Sequence, residues 1–279
     1  MIFDDLGGFK DSKEKADFCR DSIDYEEAQN LFDDGKYEEA KEAFSKLKGF
    51  KDTDEKVLLC ENAMKYVEAE KLFAEKKYTE ARAIYAELPR EDTEHFPNAA
   101  AHMTYCDNKQ KYDAAAAKLN NKEYYAAYTA LSALGSFEDA HQKAESCKQK
   151  FPSTGEHHRN KKYSSKAVSL TIVPPSNGQY NYLKLYKGSD LVTCVALGKN
   201  QKATVRIPVG SYTIKDAYSI GAWFGDKDMF GDTGTYLKLT NGSKDTFKLE
   251  ANMIYTLTLR SSKAKGDSVG SRSESRGSF

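Results

Sequence analysis

Nothing in this 279-residue chain approaches the roughly 18 to 20 uncharged apolar residues that a membrane-spanning helix requires. The first residues, Met1 to Lys10, also lack the basic, then apolar, then small-residue order of a secretory signal. As written, the chain carries neither anchor nor export signal and reads as cytoplasmic. Catalytic signatures are missing too: there is no Gly-x-Ser-x-Gly, Walker A, Gly-x-Gly-x-x-Gly, His-Glu-x-x-His or Cys-x-x-Cys. The five histidines, His95, His102, His141, His157 and His158, share no spacing with carboxylates or cysteines, so catalysis by nucleophile or metal has no candidate constellation. The expectation is a non-enzymatic protein without catalytic residue, cofactor or metal.

Net charge is absent as well, with 42 Lys and Arg against 42 Asp and Glu, but the balance is uneven along the chain. Residues 1–150 hold 23 basic against 32 acidic side chains, and residues 151–279 hold 19 against 10. Phosphate contacts need clustered Lys and Arg, so the acidic half argues against nucleic acid as a partner.

What the chain does have is an internal repeat. Phe9, Phe50, Phe96 and Phe137 are each followed ten residues later by a cysteine, Cys19, Cys60, Cys106 and Cys147. Tyr25, Tyr66 and Tyr112 stand six beyond the first three cysteines, Tyr37, Tyr78 and Tyr124 twelve further, and Ala40, Ala81 and Ala127 three beyond those. The period is 41, then 46, then 41 residues, the longer step arising from a Pro-containing loop around Leu88 to His95. Each unit reads as a long helix, a turn at Asp34-Gly35-Lys36 or its counterpart, and a shorter helix. Asp11, Asp52, Asn98 and Asp139 are placed as N-caps, with Glu14, Glu55 and Gln142 as capping-box partners. Alanines at fixed positions let helices approach while aromatics fill the gaps between units, so the first 150 residues are expected to form an α-solenoid.

Four cysteines at one repeat position are expected to be small buried hydrophobes. Equivalent places in adjacent units lie roughly 15 to 20 Å apart, and a disulfide needs Cα atoms within about 7 Å. Cys194, alternating with apolar residues, is expected in a strand core. Phe3 and Leu6 precede Phe9 as Phe44 and Leu47 precede Phe50, so the chain reads as starting within a repeat. The expectation is a C-terminal portion of a longer protein, whose upstream sequence would decide the compartment.

Phrases such as Tyr25-Glu-Glu-Ala28 and Gly35-Lys-Tyr-Glu-Glu-Ala40 resemble tetratricopeptide-like repeats of bacterial proteins, although the period exceeds the ~34 residues of that family. The resemblance covers about half the chain and implies a protein-binding scaffold, with Lys36, Tyr37, Lys77, Tyr78, Lys122 and Tyr124 as candidate groove residues for a protein or peptide partner.

After Lys150, Pro152, Gly155 and the basic stretch His157 to Lys162 read as a linker over 151–166. From Ala167 the period changes to two, and eight strands are expected: 167–173, 180–186, 191–197, 203–207, 211–217, 235–239, 246–249 and 254–260. Such strands imply a β-sandwich or a partly closed barrel, and the expectation is an antiparallel β-sandwich over 167–260, so the fold class is α + β in two domains. Pro208-Val-Gly210-Ser-Tyr212 resembles the Pro-x-Gly-x-Tyr hairpin of prealbumin-like or carboxypeptidase-regulatory-like sandwich modules. The only tryptophan stands in the loop Ala222 to Gly231, where Trp223, Phe224 and Phe230 are either core plugs or an aromatic platform for a glycan or envelope polymer. Asp226, Asp228 and Asp232 resemble a calcium-loop fragment, but Phe230 holds the fifth position and no Glu closes the loop. The Ser-, Gly- and Arg-rich residues 261–279 read as a disordered tail.

Overall fold

The computed structural model describes residues 11–260 and 269–279, so Phe3, Leu6 and the expected half-repeat lie outside the described residues. Among the described residues, seven α-helices precede ten β-strands, an α + β composition. By its contacts the chain divides into two compact units, Met1–Asp113 and Ala114–Phe279, and not at residue 150 where the sequence period changes.

The helices are α1 (Ser12–Asp33), α2 (Tyr37–Lys46), α3 (Thr53–Ala74), α4 (Tyr78–Tyr85), α5 (Ala99–Asn120), α6 (Tyr124–Ser132) and α7 (Ala140–Ser146). The long helices α1, α3 and α5 each have 22 residues. Their equivalent alanines Ala28, Ala69 and Ala115 are buried, as are Ala40, Ala81 and Ala127 on the short helices. Only a methyl group fits where two helix backbones approach this closely. The larger gap beside them is filled by Phe44, Tyr85 and Leu131 at one repeat position, all fully buried. Cys60, Cys106, Cys147 and Cys194 are buried free thiols and Cys19 is half-buried.

At three of the four expected places the side-chain cap is not made. Asp11, Asp52 and Asp139 hold the N-cap places of α1, α3 and α7 but bond no backbone N–H there with their side chains. The Asp52 carboxylate instead accepts the Tyr25 hydroxyl at 2.6 Å, a tie between successive hairpins. That bond pushes the Tyr25 hydroxyl up to about 12 and holds the Asp52 carboxyl below its ordinary value.

The turn after each long helix needs a left-handed residue. Gly35 supplies it at φ 77°, but Lys76 and Lys122 adopt φ 61° at the equivalent places. A side chain in that region costs about 1 to 2 kcal/mol, against which glycine's greater freedom in the unfolded chain is to be set. Lys76→Gly is therefore expected to stabilise the helical unit by roughly 0.5 to 1 kcal/mol. A far-UV circular dichroism melt checks this, and an unchanged or lower midpoint would show that the Lys76 side chain contributes more than its backbone costs.

The strands are β1 (Gly155–Arg159), β2 (Val168–Val173), β3 (Tyr180–Lys187), β4 (Asp190–Leu197), β5 (Ala203–Ile207), β6 (Gly210–Ser219), β7 (Thr235–Asn241), β8 (Phe247–Leu249), β9 (Ile254–Thr258) and β10 (Val269–Ser273). Seven form one sheet in the order β1-β4-β3-β6-β7-β10, with β8 also paired to β6, and three form a second sheet, β5-β2-β9. The pairing is not wholly antiparallel as expected, because β2 and β9 run parallel. A core of Leu170, Leu183, Leu185, Val205, Ile214 and Leu257 with their neighbours draws side chains from both sheets. Successive strand residues face opposite ways, so Tyr182 and Cys194 join a second cluster with Trp223 and Phe230. The central strands β3 and β4 are thus covered on both faces.

Two expectations about the flanks are corrected. The basic stretch is no linker: β1 pairs antiparallel with β4, matching Gly155 to Ala196 and Arg159 to Thr193. Nor are residues 269–279 disordered, since β10 pairs antiparallel with β7 and Phe279 is buried. Residues 261–268 lie outside the described residues.

Candidate interaction surfaces

The seam between successive helical hairpins is tied at repeating positions. Lys41 on α2 pairs with Glu61 on α3 at 3.0 Å, and Arg82 on α4 pairs with Asp107 on α5 at 2.7 Å. At the next equivalent place the partners change type but still meet, with the Lys148 ammonium 5.4 Å from the Tyr128 ring centre. A second tie joins Tyr85, Glu70 and His102: the Tyr85 hydroxyl donates to Glu70 at 2.7 Å, and His102 Nδ1 lies 2.9 Å from the same carboxylate. The His102 ring stacks on Phe73 at 3.9 Å, which fixes the imidazole plane. Burial, then the Glu70 contact, raises the Tyr85 hydroxyl above its ordinary value. His95 similarly lies 2.8 Å from Asp92, and His157 3.0 Å from Asp226. Three histidines thus meet carboxylates; 32 residues separate Glu70 from His102 and 69 separate His157 from Asp226, distances over which spacing along the chain carries no signal.

The sequence-chosen groove residues are split by this arrangement. Tyr37, Tyr78 and Tyr124 open α2, α4 and α6 and are half-buried, while Lys36, Lys77 and Lys122 are exposed beside them. Tyr37 packs edge-on against Phe32 at 5.2 Å, and Tyr78 against Phe73 at 5.5 Å and Tyr105 at 5.4 Å. Tyr37 and Tyr78 therefore brace the long helices, leaving Lys36 and Lys77 as the accessible members. Lys36 and Lys77 pair with Asp34 at 3.3 Å and Glu75 at 2.8 Å, both across exposed surface. Such pairs contribute little to stability.

Lys36 and Tyr37 do line an open cleft of about 350 Å³ with Glu38, Glu39, and Met64 and Val67 of α3. Val67 is 54% exposed, so the floor of the cleft is apolar while its rim is charged. One repeat later, Gln110 stands where Met64 stood and its amide reaches the Thr79 hydroxyl at 3.4 Å. The apolar floor is thus particular to the α2–α3 interval and is not renewed in the α4–α5 interval.

The aromatic loop presents no platform. Trp223, Phe224 and Phe230 are 4%, 3% and 0% exposed. Trp223 packs against Tyr182 at 4.8 Å, Phe151 at 5.1 Å and Phe230 at 5.1 Å. Phe224 lies 5.0 Å from both Tyr125 and Tyr128 of α6. The loop comes so near this helix that a Cβ on Gly231, at φ 57°, would fall 2.0 Å from the Tyr125 ring. Gln149, just past α7, donates its N–H to the Trp223 carbonyl at 2.7 Å. This packing of α6 and the residues beyond α7 on the loop is why Ala114–Phe279 forms one compact unit. Two acidic side chains of the loop are partnered, Asp226 by the His157 ring at 3.0 Å and Asp232 by Arg276 at 3.5 Å. Among the described residues no three His, Cys, Asp or Glu side chains gather as a metal site, and no helix is long and apolar enough to cross a membrane.

No family model matches this chain, and neither a curated protein nor a solved structure matches it.

Proposed function

We propose that the protein is a non-enzymatic scaffold whose helical hairpins stack as a tetratricopeptide-like α-solenoid and hold a protein or peptide partner, with a β-sandwich as its second module. The observation that carries this reading is the recurrence of the same inter-hairpin tie at Lys41–Glu61 and Arg82–Asp107. A stack of like units makes a continuous surface without needing a catalytic constellation. The cleft at Lys36, Tyr37, Met64 and Val67 supports a peptide contact, because an exposed apolar floor with a charged rim is the surface composition of a recognition site. A glycan or envelope polymer held on Trp223, Phe224 and Phe230 is the weaker reading, since no ring of the three is open to solvent.

The test uses the full chain, because cutting at residue 150 would sever packing within the second unit. Affinity capture from source-cell lysate is compared between the parent chain and Val67→Arg, with a chain substituted at the exposed Ile220 as control. A protein partner whose retention falls at least tenfold with Val67→Arg alone supports the reading. Retention indifferent to Val67, or no specific protein retained, defeats it.

A further inference from the structure

The last eleven residues are held in a way that differs from the rest of the β unit. β10 adds to the edge of β7 by a main-chain ladder from Val269↔Asn241 to Ser273↔Leu237, continued by the Glu274 N–H to the Tyr236 carbonyl at 2.8 Å. Ser271, Arg272 and Ser273 are exposed, and in the whole segment only Phe279 is buried. A core strand is held mostly by its side chains; this one is held by backbone, by Val269 at its start packed against the core, by three charged side chains and by one terminal ring. Lys215 pairs with Glu274 at 2.8 Å, both side chains less than one-fifth exposed, and also donates to the Ser278 carbonyl. Arg272 reaches Asp245 at 3.1 Å. The Tyr186 hydroxyl donates to the Phe279 main-chain oxygen at 2.9 Å, with the Lys184 ammonium 3.5 Å from the same atom. The Phe279 ring meets Tyr236 edge-on at 5.5 Å. Strand addition for affinity, charge pairs for register and one aromatic anchor for specificity are the components of peptide recognition at a sheet edge.

We propose that the β7 edge, with Tyr236, Tyr186, Lys184, Lys215 and Asp245, is a peptide-docking groove that residues 269–279 fill in cis and that the same segment of a second copy of this chain fills in trans. The segment itself identifies the occupant: its Arg272, Glu274 and Phe279 each meet a partner in the groove. The inference involves no residue of the helical cleft and stands or falls apart from the scaffold reading. Only residues 261–268 tether the segment to β9 and its following residues. A tether that short sets an effective concentration on the order of millimolar, so the cis form shuts out a second copy until the tether is cut or the protein is concentrated.

The test replaces residues 264–267 in the full chain with a protease site, cleaves after folding, and adds a fluorescein-labelled peptide of residues 269–279. Saturable uptake at least 50-fold stronger after cleavage than before, lost at least tenfold by a Phe279→Ala peptide or a Lys215→Ala chain, is the expected result. Two differently tagged uncut copies incubated at high concentration should co-purify, and Phe279→Ala in both should abolish this. The proposal is overturned if the cut segment stays and never exchanges, if the labelled peptide binds no better than a scrambled one, or if cleavage unfolds the unit. Failure of the tagged copies to co-purify overturns the second-copy occupant.

Discussion

Between about pH 4 and pH 8 the β-containing unit loses roughly 4 kcal/mol of stability that the Asp216→Asn chain does not lose. Asp216 lies on β6, 3% exposed, on the face that carries the core residue Ile214. Among the described residues, its two carboxylate oxygens accept only from the Asn181 amide, at 3.1 and 3.0 Å, and Asn181 in turn accepts from Gln179 at 3.2 Å. Burial without a cation pushes the carboxyl from 3.8 up to about 7, the Asn181 bond opposing weakly. The sign follows from proton counts. Between these two values the folded chain holds a proton that the unfolded chain has released, so stability is full below about pH 4 and falls as pH rises through about 7. Asp190 beside Lys162 and Glu274 beside Lys215 behave the other way, each held below its ordinary value by the cation. The difference between parent and Asp216→Asn isolates the one group. Urea unfolding followed by the single tryptophan, Trp223, reads this unit specifically, since Met1–Asp113 contains none. Equal pH slopes for the two chains would mean that water or a cation reaches Asp216 in solution.

The helical repeat was legible because burial at a helix–helix seam is selective by size. The same small residue returns at Ala28, Ala69 and Ala115 and again at Ala40, Ala81 and Ala127, and the helix starts Ser12, Thr53 and Ala99 keep the 41- and 46-residue steps. All eight expected strands are present within a few residues of their expected ends. The two that were missed, β1 and β10, are the two edges of the seven-stranded sheet. Their residues, Gly-Glu-His-His-Arg and Val-Gly-Ser-Arg-Ser, are mostly exposed and show no alternation. An edge strand needs only one main-chain ladder, which any residue except proline can make, so its side chains carry no two-residue signal. Polar composition then reads as linker or tail. The capping boxes failed for a related reason: Asp52 had a better donor in Tyr25, 27 residues away, than in its own helix. Of the residues that line the cleft, Lys36 and Tyr37 stand at positions the repeat singles out, whereas Met64 and Val67, which make its floor, do not. They sit on a long helix whose two halves bury different faces, and there periodicity alone does not say which apolar residue stays in solvent.

Phe230→Ala is expected to cost the second unit about 3 to 5 kcal/mol, with Trp223 fluorescence changed in the folded state as well. Phe230 is fully buried, stacked on Phe151 at 5.9 Å and edge-on to Trp223 at 5.1 Å. Its backbone carbonyl also accepts the Thr233 hydroxyl at 2.8 Å, which fixes the turn that follows. The surroundings cannot collapse into the gap, because Trp223 is held by its own carbonyl to Gln149 and Met229 is held by main-chain bonds to Phe224 and Gly225. A cavity therefore remains, and its volume adds to the lost transfer free energy. Phe230→Leu keeps most of the volume and should cost less than half as much. The same experiment separates the two readings of the aromatic loop. Rings that plug a core lose stability when truncated, whereas rings that form an exposed platform lose ligand and little else. A loss above about 3 kcal/mol assigns the loop to the core that joins α6 to the sheet, and a loss below about 1 kcal/mol would mean that the loop opens in solution, making Trp223 and Phe230 available to a ligand.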